Sequence, residues 1–228
     1  MIPRKYCRQI IPTEECNYIE NILKSSTCEW RDGILSVKII NEKFDWSDIK
    51  KVDETFNNDL FKIIMNRLDD DGEFRAMTCP KNTKNAIFSR ISEGGYYKPH
   101  IDGMFTGHYS TTVFLNDPEE YEGGELQLLI DGEVHDIKLK KGWAVTYSTG
   151  IPHQVKKVTS GKRYVSVFWT TSRIPDIIDR DFYYELSKIQ KTLKNSLSIP
   201  DNVNDFMNDP LNRVVTLKNA LIQKYIGD

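Results

Sequence analysis

From residue 85 onward the sequence consists of short runs rich in Val, Ile, Thr and aromatic residues, interrupted by Gly, Pro or Asp about every eight to twelve residues. This spacing is typical of an all-β fold. Asp131-Gly132 favours a tight hairpin, and Lys140-Lys141-Gly142 and Thr159-Ser160-Gly161 predict two further turns. Eight strands are predicted, at 85–92, 97–103, 109–116, 124–130, 133–139, 142–148, 151–157 and 163–171. Eight short antiparallel strands favour a double-sheet jelly roll.

His100 and Asp102 lie two residues apart on the second predicted strand. Because side chains alternate along a strand, this imidazole and this carboxylate point to the same side. His153, at the start of the seventh predicted strand, is the best-placed third ligand among the four histidines. Two histidines and one carboxylate with open positions form the facial triad of non-haem Fe(II) oxygenases. The alternative is that both histidines are hydrogen-bonded and inert.

The composition is typical of a soluble globular protein, since 39% of the 228 residues are hydrophobic and 28% are charged. No apolar run is long enough to span a membrane, and no secretory signal is visible, so we expect neither. The net charge of −2 gives no overall basic field for nucleic acid. The four cysteines, at 7, 16, 28 and 79, lack metal-binding spacing and predict reduced thiols in a cytoplasmic protein.

The region before residue 85 carries helical patterns. A helix is predicted to begin with Thr13 as its N-cap, and a second apolar stripe at helical spacing runs from Ile49 to Ile64. Between them, 30–40 is predicted to be extended. This region therefore predicts two helices and a strand or two that support the β region.

After Pro175 the pattern becomes helical again, from Asp176 to about 195, and then from Pro210 onward behind an Asp209 cap. We expect one domain over 1–228, mainly β with flanking helices. Its parts are N-terminal support at 1–84, a jelly-roll core at 85–171 and a C-terminal helical extension at 172–228.

Five stretches of the core carry a resemblance to a known family. They are 89–103 (Ser-Arg-Ile-Ser-Glu-Gly-Gly-Tyr-Tyr-Lys-Pro-His-Ile-Asp-Gly), 121–126 (Tyr-Glu-Gly-Gly-Glu-Leu), 142–147, 152–155 (Pro-His-Gln-Val) and 163–169. The core resembles the catalytic domain of the Fe(II)- and 2-oxoglutarate-dependent dioxygenases. Within that superfamily it is most similar to the prolyl 4-hydroxylase branch, in particular to the PKHD-type hydroxylases.

The resemblance implies a double-stranded β-helix, a cupin-like jelly roll, that holds Fe(II) on His100, Asp102 and His153. It also implies that Arg163 binds the far carboxylate of 2-oxoglutarate, which suits the paired donors of a guanidinium. Tyr97 occupies a tyrosine position of the family, and Thr112 is a further candidate for the cosubstrate if it faces inward with Phe114. Either residue could equally be a plain strand residue.

One position departs from the family. The branch often has an aromatic hydroxyl nine residues before the first histidine, and this chain has Ile91 there. A cosubstrate hydrogen bond from that position is therefore absent, or another residue supplies it.

The implied activity is hydroxylation of a C–H bond with O2 and 2-oxoglutarate, releasing succinate and CO2, with ascorbate as a further candidate component. The predicted substrate is a peptidyl proline in a protein or peptide partner, under a lid at 104–108. Four aromatic side chains are candidates to stack on the proline ring, and the alternative is that they only close the mouth of the barrel; they are those of Tyr96, Tyr97, Phe105 and Tyr109.

Two alternatives remain open from the sequence. One is the same chemistry on a free small molecule or a nucleobase, and the other is a non-catalytic module that binds a metal or a ligand. Nucleic-acid demethylases of the superfamily add a second arginine and a basic surface. This chain shows neither clearly, although Arg173 lies ten residues beyond Arg163. The sequence gives no oligomeric state.

Overall fold

A computed structural model of the chain describes residues 2–3, 5–33, 49–83, 86–102, 106–194, 205 and 208–226. The described residues form fourteen β-strands, which are β1 (Lys5–Gln9), β2 (Arg31–Asp32), β3 (Lys50–Lys51), β4 (Asp53–Thr55), β5 (Pro80–Thr83), β6 (Ile87–Ser92), β7 (Tyr96–His100), β8 (Tyr109–Phe114), β9 (Tyr121–Gly123), β10 (Leu126–Ile130), β11 (Glu133–Ile137), β12 (Trp143–Ser148), β13 (His153–Val155) and β14 (Val158–Ser172). The α-helices are α1 (Thr13–Lys24), α2 (Asn58–Asp70), α3 (Gly72–Thr78), α4 (Ile177–Lys194) and α5 (Pro210–Gln223).

The strands form two antiparallel sheets. The larger sheet has the order β1-β12-β8-β14-β6-β4-β2, and β5 and β9 also pair with β14. The smaller sheet has the order β11-β10-β13-β7-β3. The strands that match the eight predicted ones therefore contribute four to each sheet, and the chain crosses between the sheets as it winds. This is the predicted double-stranded β-helix with flanking helices, extended by further strands at the sheet edges.

Apolar side chains cover both faces of the larger sheet. On the inner face, Phe114 and Val165 join a buried cluster with Leu128 of the smaller sheet. On the outer face, Phe88 packs in a second cluster with Ile19 of α1 and Ile64 of α2. Because both faces are covered, β8 is buried along its whole length.

The eight predicted strands are all present, with shifted ends. The predicted strand 97–103 ends in the structure at His100, so Asp102 follows the strand rather than lying on it. The predicted strand 163–171 begins earlier, at Val158, because its first residues pair with β9. The turn predicted at Thr159-Ser160-Gly161 is therefore wrong, since these residues lie within β14. The hairpin at Asp131-Gly132 is confirmed, since both residues have positive φ and Ile130 pairs with Glu133.

Two predictions for the N-terminal region are wrong. Thr13 is the first residue of α1 and not its cap; Pro12 occupies the cap position, and no side chain caps the helix there. The stripe from Ile49 to Ile64 is helical only from Asn58, because 50–55 forms strands that pair with β6 and β7. Of the predicted extended stretch 30–40, residues 34–40 lie outside the described ranges.

The C-terminal helices agree with the sequence. α4 occupies the predicted 176–195 span almost completely, and α5 begins at Pro210 with the Asp209 carboxylate accepting from the Asn212 N–H. All four cysteines are free thiols. In the described part of the chain, no helix combines the length and the apolar character needed to cross a membrane.

Helix α2, which supports the outer face of the larger sheet, begins at a capped end. The Asn57 side-chain oxygen accepts hydrogen bonds from the N–H groups of Asp59 and Leu60, each at 3.1 Å. Replacing Asn57 with Ala removes both bonds, so we expect a loss of about 1 kcal/mol of unfolding free energy. In thermal denaturation this is a fall in Tm of about 2–4 °C. Asn57→Asp keeps the acceptor and should retain the wild-type Tm; an unchanged Tm in Asn57→Ala would mean that the cap does not stabilise the helix.

Candidate metal centre

Three potential ligands converge at one edge of the smaller sheet. His100 is the last residue of β7, His153 is the first residue of β13, and the two are directly paired across the strands. Asp102 lies just after β7, and its Oδ1 is 4.0 Å from His100 Nε2 and 3.8 Å from His153 Nε2. All three donor atoms lie within 4.8 Å of one another. The structure thus brings together the residues that the spacing singled out.

Backbone carbonyls fix both imidazoles with the same ring nitrogen. His100 Nδ1 is 2.8 Å from the Lys98 carbonyl oxygen, and His153 Nδ1 is 2.9 Å from the Ile151 carbonyl oxygen. In this arrangement each Nδ1–H donates to a carbonyl, which leaves the Nε2 lone pair directed at the centre. This is the usual outer-shell arrangement of metal-binding histidines.

The Asp102 carboxylate is oriented by two donors. Trp169 Nε1 donates to Asp102 Oδ2 at 3.0 Å, and the Ser110 hydroxyl donates to the same oxygen. Because both donors use Oδ2, Oδ1 is left to face the two histidines. Sequence reasoning missed Ser110 and Trp169. Both lie on inward-facing positions of β8 and β14, the same alternation that placed Phe114 and Arg163 inside.

The His100 imidazole is held in its neutral form. Burial lowers the pKa of His100 to about 4, and the neighbouring His153 adds to this shift. His153 is itself only 8% exposed. A neutral imidazole has a free lone pair at neutral pH, so His100 is in the form that a metal ion requires.

Tyr97 packs directly on this centre. Its ring stacks on the His100 ring, with the centroids 3.7 Å apart and an angle of 14° between the planes. The two side chains share a face although they are three residues apart, because the pairing of β7 with β13 shifts register between His153 and Val155.

A buried ion pair also lies close to the Tyr97 ring. Lys50 Nζ lies 5.1 Å from the Tyr97 ring centroid and 2.6 Å from Glu54 Oε1, and both charged residues are buried. The Tyr97 ring therefore lies close to both a buried cation and the His100 imidazole.

Arg163 is a buried cation with an unused donor. It is 2% exposed, and its Nε has no hydrogen-bond partner. Its guanidinium lies 5.3 Å from the Phe114 ring centroid, and no ion pair joins it to a carboxylate among the described residues. Burial lowers its pKa. A buried unpaired guanidinium is unfavourable alone, so this position fits the carboxylate of a bound acid.

Three polar side chains, those of Tyr147, Thr112 and Tyr121, lie near the metal centre or near Arg163. Tyr147 is buried, its ring meets His153 edge-on with the centroids 5.3 Å apart, and its electrostatic neighbours include both Asp102 and Arg163. Burial raises the pKa of Tyr147, which keeps its hydroxyl protonated as a donor. The Tyr121 hydroxyl is buried beside Arg163 without a well-formed hydrogen bond.

Thr112 faces inward, as the orientation of Phe114 predicts; it is 3% exposed and interacts with Tyr147. Tyr147 and Tyr121 were missed by sequence reasoning. Tyr147 lies on the sixth predicted strand, where the inward alternation of side chains could have indicated it. Whether Thr112 and Tyr97 contact a cosubstrate stays a prediction.

The structure describes only part of the predicted lid, and it removes one residue from the predicted aromatic cluster. Of the lid at 104–108, residues 104 and 105 lie outside the described ranges, so Phe105 does too. His108 Nδ1 accepts from the Ser172 N–H, away from the triad. Tyr109 is 4% exposed and its ring lies beneath the Arg180 guanidinium, so the prediction that it stacks on a substrate ring is wrong.

Comparison with known proteins gives a family match over the same region. The model of the 2OG-Fe(II) oxygenase superfamily matches residues 86–171. A PKHD-type hydroxylase of Prochlorococcus marinus is 33% identical over 190 residues, which cover 80% of this chain and 84% of that protein. A PKHD-type hydroxylase of Acaryochloris marina is 37% identical over 124 residues, which cover 53% of this chain and 57% of that protein.

Solved structures show the same fold at low sequence identity. A Trichoplax adhaerens prolyl hydroxylase in complex with a peptide fragment of a hypoxia inducible factor has a TM-score of 0.55 and 13% identity, covering 81% of this chain and 87% of that one. HygX from Streptomyces hygroscopicus, with nickel, 2-oxoglutarate and hygromycin B bound, has a TM-score of 0.55 and 11% identity, covering 75% of this chain and 84% of that one.

Proposed function

Because the chain belongs to the 2OG-Fe(II) oxygenase superfamily and is related to its PKHD-type hydroxylases, we propose that His100, Asp102 and His153 hold the iron of an enzyme that hydroxylates peptidyl proline. The observation that carries the metal assignment is the convergence of three donor atoms with both Nδ1 groups bonded to carbonyls. Two histidines and one carboxylate leave positions open for the cosubstrate and O2.

The iron, with 2-oxoglutarate and O2, supplies the oxidising chemistry that converts a C–H bond to a C–OH bond and releases succinate and CO2. The protein's own residues bind and orient. The Lys98 and Ile151 carbonyls hold the two imidazoles, and Ser110 and Trp169 hold the Asp102 carboxylate. Each ligand side chain is thus oriented before the metal binds, which reduces the conformational entropy lost on metal binding.

The unpaired guanidinium of Arg163 supports its assignment to the far carboxylate of 2-oxoglutarate. Tyr147 interacts with both Asp102 and Arg163 and Thr112 interacts with Tyr147, so their hydroxyls are suited to hydrogen-bond the same acid. In this proposal Tyr97 holds the His100 ring rather than contacting the cosubstrate, because its ring lies flat on the imidazole.

A groove beside the metal centre supports a peptide as the substrate. It has a volume of about 560 Å³ and is lined by Tyr96, Tyr97, Gln154 and Val155, among others. Tyr97 belongs both to this groove and to the surroundings of His100, so a chain lying in the groove would pass close to the metal. The peptide bound to the Trichoplax prolyl hydroxylase supports the same class of substrate.

The decisive experiment is succinate release with Fe(II), 2-oxoglutarate and ascorbate, comparing proline-containing peptides with matched peptides in which alanine replaces proline. We expect stimulation only by the proline peptides, with a mass gain of one oxygen on proline. The second candidate substrate is a free small molecule, because HygX has the same fold and binds hygromycin B. Stimulation by such molecules and by no peptide would reject the peptidyl substrate and leave the oxygenase class intact.

Tyr96 offers a test of the groove itself. If its ring contacts the peptide, Tyr96→Ala should lower kcat/KM for the best peptide by about 2- to 10-fold, the value of one aromatic contact. Peptide-independent succinate release should stay unchanged. Tyr18 on α1 is 56% exposed and outside the groove, so Tyr18→Ala is the matched control. Equal kcat/KM values in both variants would show that the peptide does not use this groove.

A further inference from the structure

A second cleft lies among α3, α4 and α5 and shares no residue with the metal centre. It has a volume of about 640 Å³, within the range of small-molecule sites. Its charged lining is strongly cationic, with Arg8, Arg75, Lys188, Lys191, Lys194 and Lys218 against only Asp70 and Glu73.

The acidic residues near the cleft are partly engaged elsewhere. Arg8 forms an ion pair with Asp71 at 3.2 Å, and Glu73 accepts a hydrogen bond from the Tyr184 hydroxyl at 2.6 Å. Within the described ranges, none of the other five cations that line the cleft forms an ion pair with a carboxylate. Five of the six cations therefore line the cleft without an ion-paired carboxylate.

Lys218 is the most constrained of these cations. Its Nζ donates to Gln190 Oε1 at 2.8 Å and lies 4.6 Å from the Tyr183 ring centroid, so the ammonium is directed between α4 and α5. Burial lowers the pKa of Lys218, and the positive charges of Lys194 and Arg75 lower it further. Lys218 is partly buried, whereas Arg75 and Lys194 are exposed. Binding of an anion reduces the repulsion among like charges that lie close together.

We propose that this cleft binds a small phosphorylated molecule, with Arg75, Lys194 and Lys218 gripping its phosphate group from three helices. A phosphate offers several acceptor oxygens and up to two negative charges, which suits three cations that line one cleft better than a single carboxylate does. The size of the cleft fits a nucleotide-sized ligand. A nucleic acid chain fits less well, because the protein has a net charge of −2 and two acidic side chains line the cleft.

The test is isothermal titration calorimetry of the metal-free full-length protein with inorganic pyrophosphate, and then with ATP. We expect both to bind the wild type and to bind the double variant Arg75→Met/Lys218→Met at least tenfold more weakly. Lys62 lies on α2 outside the cleft and pairs with Asp59, so Lys62→Met is the matched control and should bind normally.

The Arg163→Ala variant distinguishes anion binding in this cleft from anion binding in the cosubstrate pocket, which also attracts anions. Pyrophosphate binding should be unchanged in that variant; its loss would place the anion at Arg163 and overturn the proposal. Equal pyrophosphate affinity in the wild type and the double variant would also overturn the proposal. Tighter binding of a single-stranded oligonucleotide than of ATP in the cleft would do the same.

The double variant should remain folded, because it removes two mutually repelling charges. We expect its melting temperature to equal or exceed that of the unliganded wild type, and we expect pyrophosphate to raise the melting temperature of the wild type only. If the double variant unfolds, Lys218→Gln, which retains a hydrogen-bond donor to Gln190, replaces it. Equal pyrophosphate affinity in Lys218→Gln and the wild type would then reject the site.

Discussion

Replacing His153 with Ala is expected to lower metal affinity by more than about 100-fold and to abolish hydroxylation. Loss of a hydrogen bond to a ligand already costs about 10- to 100-fold in metal affinity, so loss of the ligand itself should cost more. His153 is also the only candidate ligand contributed by β13; His100 and Asp102 come from one short stretch beside β7. Without His153, the two donors from the stretch beside β7 would remain.

The measurement is titration with Mn(II), which avoids oxidation of the metal, together with succinate release under Fe(II). His135 lies on β11, paired opposite Leu128 and outside the triad, so His135→Ala is the matched control and should bind metal normally. Circular dichroism of His153→Ala checks that the fold is retained. Wild-type Mn(II) affinity in the folded His153→Ala variant would show that the metal is held elsewhere.

Much of the fold was predictable because its strands are short, alternate in side-chain polarity and end in glycine-bearing turns. The spacing of His100 and Asp102 predicted their convergence, but for a reason that is only partly right. Both do face one point, yet β7 ends at His100 and Asp102 is oriented by Ser110 and Trp169 instead of by strand geometry. Those two partners come from distant strands, and sequence spacing alone does not reveal such contacts.

The main error in the fold has a tertiary cause. The apolar residues between Ile49 and Phe56 match a helical period, but Lys50–Lys51 pairs with β7 and Asp53–Thr55 pairs with β6. Open sheet edges supply hydrogen-bond partners that outweigh the local helical preference. The same pairing carries Lys50 and Glu54 to Tyr97, so a segment whose helical prediction was wrong contributes to the surroundings of the metal centre.

Arg163→Ala is expected to raise the apparent Michaelis constant for 2-oxoglutarate at least tenfold while leaving metal affinity unchanged. Removing one partner of a buried charge pair costs about 2–5 kcal/mol, and each 1.4 kcal/mol corresponds to a factor of ten. The guanidinium is fully enclosed and its Nε has no internal partner, so little else can compensate for its loss. Metal affinity should not change because Arg163 contributes no donor atom to the triad.

Two further variants make this test specific to the guanidinium. Arg163→Lys keeps the positive charge but loses the paired donors. Its apparent Michaelis constant for 2-oxoglutarate should therefore lie between those of the wild type and Arg163→Ala. Lys162 is the adjacent residue on β14 and is exposed, so Lys162→Ala removes a charge from the same strand without reaching the pocket and should titrate as the wild type does. A normal 2-oxoglutarate titration in Arg163→Ala, with metal affinity retained, would assign the cosubstrate carboxylate to other donors, for which Tyr147 and its partner Thr112 are the candidates.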